Sequence, residues 1–238
     1  MKKQLLTRVL FYLAGLLILA FGITGNTKTG FGVSPIVSVP YSIAGAAGFN
    51  FGNMTFLAYT IFALIEMAVH TRICRKQRTA GRTFLLWKIL LLDFLQIPLS
   101  LVFSRFINLF SSVLPDLTAD CQGTFFGSAA GRFLVLFLSI FCTGAGAALS
   151  LEMRLIPNPG DGVVQSFSDL SGRSVGFVKN CFDGACIAAA LAIGLLSSGH
   201  VIGIGPGTLL AVLGVGRVIS LWNHLFRKRI RKAAGLEL

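Results

Sequence analysis

Six stretches of about 20 mostly apolar residues occupy this 238-residue chain, and they restrict its fold more than any other feature. A hydrocarbon layer about 30 Å thick offers no water to backbone N–H and C=O groups. A segment crossing it must satisfy them internally, as a helix of about 20 residues. The stretches cover residues 8–27, 50–70, 83–104, 125–149, 174–196 and 207–225. Residues are 54% hydrophobic and only 13% charged, the balance of an integral membrane protein. The expected fold is therefore an all-α polytopic membrane protein, one membrane domain over residues 1–238. The first stretch begins on Met1-Lys2-Lys3 like a signal peptide. Its end, FGITGNTKTG, lacks a small-x-small cleavage site, so it reads as a retained helix.

The formal net charge of +12 would suggest nucleic acid in a soluble protein. Here the cations fall in three clusters: Lys2, Lys3 and Arg8, then RICRKQRTAGR after the second span, then RKRIRK after the sixth. With six spans all three land on one side. Basic residues collect on the cytoplasmic side of a membrane, which places both termini there and removes the case for nucleic acid. Cys74, Cys121, Cys142, Cys181 and Cys186 show no CxxC spacing. His70, His200 and His224 fall at span ends, dispersed. No metal site, disulfide framework or cofactor is expected from them.

A second pattern concerns internal order. A shift of 124 positions carries Pro35 onto Pro159, Val39 onto Val163, Ser42 onto Ser166, Gly48 onto Gly172 and Gly52 onto Gly176, without a gap. Gly22 and Gly146 correspond under the same shift, as do Arg8 and Arg132. Pro and Gly positions are set by backbone need rather than by apolar bias. The chain therefore divides into repeat 1 (residues 1–120, spans one to three) and repeat 2 (residues 121–238, spans four to six). Three spans is an odd number, so the second repeat is inverted relative to the first, a construction of many secondary transporters.

Each repeat also predicts a short helix after its first span. Ser34-Pro35 and Asn158-Pro159 offer an N-cap residue followed by Pro at the first helical position. Gly48 and Gly172 suit a helix C-terminus at positive φ. About a dozen residues lie between, on the order of 18 Å of helix, too short to span. These helices either lie along the interface or dip inward as re-entrant halves that line a cavity. If both dip, their N-termini meet near the membrane middle and offer N–H groups to a polar or anionic solute. Ser34, Pro35, Asn158, Pro159, Asp161, Lys179, Asn180 and Asp183 are the candidate binding residues, Lys179 and Asp183 being one helical turn apart.

Asp93 sits mid-span, where a carboxylate costs about 2.5–3.5 kcal/mol and needs a partner. The repeat shift carries it onto Arg217, so the two are expected to meet across the pseudo-symmetry axis, as a register-fixing ion pair or as a gate or relay. Gln96, one turn on, faces the same side, and Arg132 is a further intramembrane charge for gating. Glu66, Glu152 and Arg154 are placed near cytoplasmic span ends. GIGPGT lacks the Lys-Ser/Thr of a phosphate loop. No nucleophile–base set or carboxylate pair supports an enzyme.

GFGVSP after span one, PGDG after span four and GIGPGT before span six together resemble the YczE/YitT-like family of bacterial integral membrane proteins. The resemblance implies a multi-pass protein of the bacterial plasma (inner) membrane and implies little about activity. It departs from the family pattern where an acidic residue often follows the first Pro: Ile36 and Val37 stand there, and the acidic position survives only as Asp161. The leading functional expectation is a small secondary transporter or exporter of a polar or anionic solute, working by alternating access. Its partners are the lipid bilayer and a small-molecule substrate, with a homodimer or a membrane partner left open. The alternatives are a substrate-capture subunit resembling those of energy-coupling importers, whose usual AxxxA docking pair span one lacks, the nearest pairs being Ala185/Ala189 and Ala188/Ala192 in span five, and a non-transport accessory protein.

Overall fold

Where an N-capping residue precedes Pro, and where Gly follows an apolar run, the backbone of the computed structural model starts and stops its helices. The structure describes residues 2–76 and 83–236; residues 77–82 of the basic linker lie outside them. Among the described residues there are eight α-helices, one 3-10 turn at Phe125–Gly127 and no strand. Six are long: α1 (Lys2–Lys28), α3 (Phe51–Lys76), α4 (Thr83–Val113), α5 (Ala129–Glu152), α7 (Val175–Ser198) and α8 (Pro206–Ala233). All six are long and apolar enough to cross a membrane. The other two, α2 (Pro35–Ala47) and α6 (Pro159–Ser171), have 13 residues each.

Several long helices outrun the apolar stretches that announce them. α3 continues to Lys76, α4 to Val113, and α8 carries RKRIRK as helix rather than as a tail. Backbone hydrogen bonding does not stop where the hydrocarbon does, and Lys and Arg are good helix formers. At its foot, α8 is tied to α5: Glu152 receives Arg227 at 3.2 Å and Arg231 at 2.6 Å. α5 itself begins at Ala129, later than the apolar stretch, because the Ser128 Oγ caps it by accepting the Gly131 N–H at 3.2 Å.

The centre of the fold is the seam between α1 and α5, the most extensive helix contact in the molecule. Glycine makes that approach possible. A Cβ on Gly22 would lie 2.7 Å from the Ser139 carbonyl oxygen, and one on Gly146 would lie 2.7 Å from that of Gly15. Around the seam, α2 packs on α7 and α6 on α3, α4 packs on α3 and α1, and α8 packs on α5. α7 and α8 do not pack along one another to any extent.

Several contacts recur at the 124-residue shift. Arg8 Nη2 donates to the Met153 carbonyl at 2.8 Å and Arg132 Nε to the Thr29 carbonyl at 2.7 Å. Each arginine thus reaches the end of the helix that carries the other, where carbonyls lack intrahelical donors. Arg132 also lies over the Phe31 ring, 4.4 Å from its centroid. The short helices end on Gly48 (φ 69°) and Gly172 (φ 66°), the left-handed conformation glycine adopts without a steric cost.

Candidate functional site

The short helices run beside long ones rather than outside the bundle. Ser38 Oγ donates to the Pro35 carbonyl at 2.6 Å and also reaches the Cys186 carbonyl at 3.3 Å, while Ser42 Oγ donates to that of Ile202 at 2.8 Å. Cys186 is midway along α7 (Val175–Ser198), so α2 starts level with the middle of α7 and runs toward its C-terminal end. α6 is held against α3 in the corresponding way, with the Gly162 backbone against the Glu66 carboxylate. The first turns of the two short helices face each other, since the Ile36 side chain lies against the Cα of Gly160.

Most of the candidate binding residues gather here. Asn158 caps α6, its Oδ1 accepting the Gly160 N–H at 3.4 Å. Asp161 interacts electrostatically with Lys179, Asp183 and Tyr59, and Asn158 with Tyr59. Lys179 Nζ stands 3.5 Å from Asp183 Oδ2, the lysine being 39% exposed and the aspartate 7%. The second oxygen of Asp183 is buried and has no hydrogen-bond partner. Pro35 and Pro159 are buried at the helix starts, and Ser34 is the α2 N-cap with no side-chain capping bond. Asn180 is different: it lies exposed on α7. A void of about 10 Å³ adjoins Tyr59, Ser100, Asn158 and Pro159, room for about one water molecule. Tyr59, 1% exposed, is a member that sequence reading passed over; a tyrosine in an apolar helix gives no sign of which group its hydroxyl meets.

The expected approach of Asp93 to Arg217 does not form. Asp93, 2% exposed, pairs with His70 instead, with 2.8 Å between Oδ2 and Nδ1. Arg217 lies exposed on α8, a helix that makes no extensive contact with α4. The reason is geometric: helices α1 and α5 hold the centre, keeping α4 and α8 on opposite flanks. Arg132 is placed at the end of α1, where its Nε donates to the Thr29 carbonyl. Gln96 does face the same side as Asp93, and its Nε2 donates to Glu66 Oε2 at 2.9 Å.

Glu66 is the larger correction. It was expected near a span end, but α3 runs ten residues past it, to Lys76, and Glu66 is 3% exposed. Glu66, His70 and Asp93 hold one donor atom each within 4.8 Å of one another. The signal was available: Glu66 and His70 are four apart on α3, and Asp93 and Gln96 three apart on α4, the spacings that share a helix face.

Comparison with known proteins adds a family and no activity. The profile of a family of unknown function, DUF6198, matches residues 6–224. The uncharacterized membrane protein YczE of Bacillus subtilis (strain 168) is 27% identical over 220 residues, which is 92% of this chain and 86% of that one. No solved structure matches the chain.

Proposed function

This chain belongs to the family of unknown function DUF6198, and is YczE-like; from that premise we propose that it is a small secondary transporter, moving a small polar solute across the plasma membrane by alternating access. The observation that carries the reading is the buried, unpartnered oxygen of Asp183, set beside Lys179 and Asp161 level with the starts of two half-length helices. An unsatisfied buried carboxylate oxygen costs about 1–3 kcal/mol or more, and a bound solute's donor would satisfy it. Two carboxylates face one lysine here, which favours a solute presenting a cationic or hydrogen-bond-donating group over a plain anion.

In this reading residues 1–120 and 121–238 are inverted repeats, and α2 and α6 are re-entrant halves entering from opposite faces. The matched ties Arg8–Met153 and Arg132–Thr29 support it, as do the matched glycines of the α1–α5 seam. Rocking of one repeat against the other would expose the Asp161–Lys179–Asp183 group to each side in turn. Both termini face the cytoplasm, following the basic clusters. The test is flux into proteoliposomes containing the purified chain, across a panel of amines, amino acids and polar neutral solutes. Saturable uptake that Asp183→Asn abolishes is expected. Absence of uptake for the whole panel, with no solute shifting the melting temperature, overturns the proposal.

One observation favours a second reading, a membrane-embedded subunit that docks a partner. Ala185, Ala188, Ala189 and Ala192 are all exposed on α7, and small residues let membrane helices approach closely. Cysteine crosslinking from Ala188→Cys to a co-purifying protein would support it over the autonomous transporter.

A further inference from the structure

We propose that Glu66, His70 and Asp93, backed by Gln96, form a binding site for a divalent transition cation, held between α3 and α4 and separate from the solute group. Two carboxylates and one imidazole are a hard-to-borderline donor set, suited to ions such as Mn²⁺ or Zn²⁺. Their donor atoms all lie within 4.8 Å of one another. Around a four- to six-coordinate ion with bonds of about 2.1 Å, neighbouring donors stand about 3 Å apart and opposite ones about 4 Å. The 2.8 Å separation of His70 Nδ1 and Asp93 Oδ2 already matches a neighbouring pair.

Burial supplies the second argument. Gln96 is 0% exposed, and its amide turns into the group through the Glu66 bond. Its Oε1 has no hydrogen-bond partner, an orphan acceptor pointing to a missing positive centre or donor. Two carboxylates confined in a low-dielectric interior repel each other, and Asp169 on α6 adds negative charge to the field at His70. A dication neutralises two carboxylates in full, with neutral imidazole as the third ligand. The His70 side chain is 18% exposed, which leaves a way in. On the far side Gly162 supplies a bare Cα, because a Cβ there would meet the Glu66 carboxylate.

The site has no copy in the second half. The shift of 124 carries Glu66, His70, Asp93 and Gln96 onto Ala190, Gly194, Arg217 and Ser220, none of which makes an equivalent set.

The experiment uses the purified full chain, stripped with chelator and titrated with Co²⁺ alone, following visible d–d absorption, with Mn²⁺ and Zn²⁺ as competitors and as ligands in thermal unfolding. Expected are one equivalent bound, displacement by Zn²⁺ or Mn²⁺, a higher melting temperature with either ion, and at least a tenfold weaker affinity in His70→Ala and Asp93→Asn. Asp120→Asn, in the outer loop, should bind as wild type. Should the variants fail to fold, the wild-type stoichiometry and thermal shift still decide. No saturable binding by the wild type overturns the proposal. So does a melting temperature that follows pH but no metal, which would mark the group as a proton relay.

Discussion

The pair α3–α4 and the pair α7–α8 correspond under the 124-residue shift, yet one is fastened and the other is not. Between α3 and α4 lie the Asp93–His70 contact at 2.8 Å and the Gln96–Glu66 bond at 2.9 Å. Between α7 and α8 there is no extended packing, and the face of α7 left uncovered carries glycine, alanine and a half-exposed Lys179. Two helix pairs related by the 124-residue shift thus differ in how they are packed. In the proposed transporter, such an asymmetry would be one half closed while the other is open. If α7 docks a partner instead, the same asymmetry marks where the second half is incomplete.

The comparison breaks most readily at the seam the halves share. Gly22→Leu and Gly146→Leu should each cost more than about 3 kcal/mol, the range of severe overpacking at a backbone contact. The two losses should match, whereas Gly216→Leu, where an added Cβ would meet nothing within 4 Å, should be close to neutral; denaturant unfolding in detergent would measure all three. Unequal losses at the seam would argue against a common origin for the halves.

The fastening comes next. Asp93→Asn should destabilise by about 3–5 kcal/mol if His70 is left charged and unpaired, and by less if it is neutral. Arg217→Ala, at the corresponding place on α8, should change stability by less than about 0.5 kcal/mol. The arginine ties are smaller: Arg8→Ala and Arg132→Ala should each cost about 1.5–3 kcal/mol, the worth of a charged hydrogen bond, read as paired drops in melting temperature. Least disruptive is labelling of native thiols. Cys181 is exposed and Cys186 buried on the same helix. An impermeant maleimide should modify Cys181 at least about tenfold faster, since reactivity follows access. Equal resistance of both would mean that lipid or protein, not water, covers α7.

How much of this was legible depended on what each residue has to satisfy. The short helices and their bounds were readable because Pro35, Pro159, Gly48 and Gly172 answer to their own backbones. The gathering of Asp161, Lys179 and Asp183 was readable because a one-turn spacing and a repeat place them together. Asp93 showed that it needed a partner, but the partner's identity depends on which helices touch. Symmetry suggested Arg217, whereas packing chose His70. Glu66 was misplaced because an apolar window ends before the helix does, and a carboxylate ten residues inside then looks terminal. The lack of packing between α7 and α8 was not readable at all, since it is a property of the conformation rather than of either helix.

The meeting of Ile36 with the bare Cα of Gly160 has an electrical consequence. Where two half-length helices replace one full span, the insulation between the compartments narrows to the layer separating their tips. In the re-entrant reading proposed above, Ile36 stands in that layer, against the bare Cα of Gly160. On that reading this branched side chain contributes to the proton-tightness of the membrane patch, and trimming it to alanine would raise the leak.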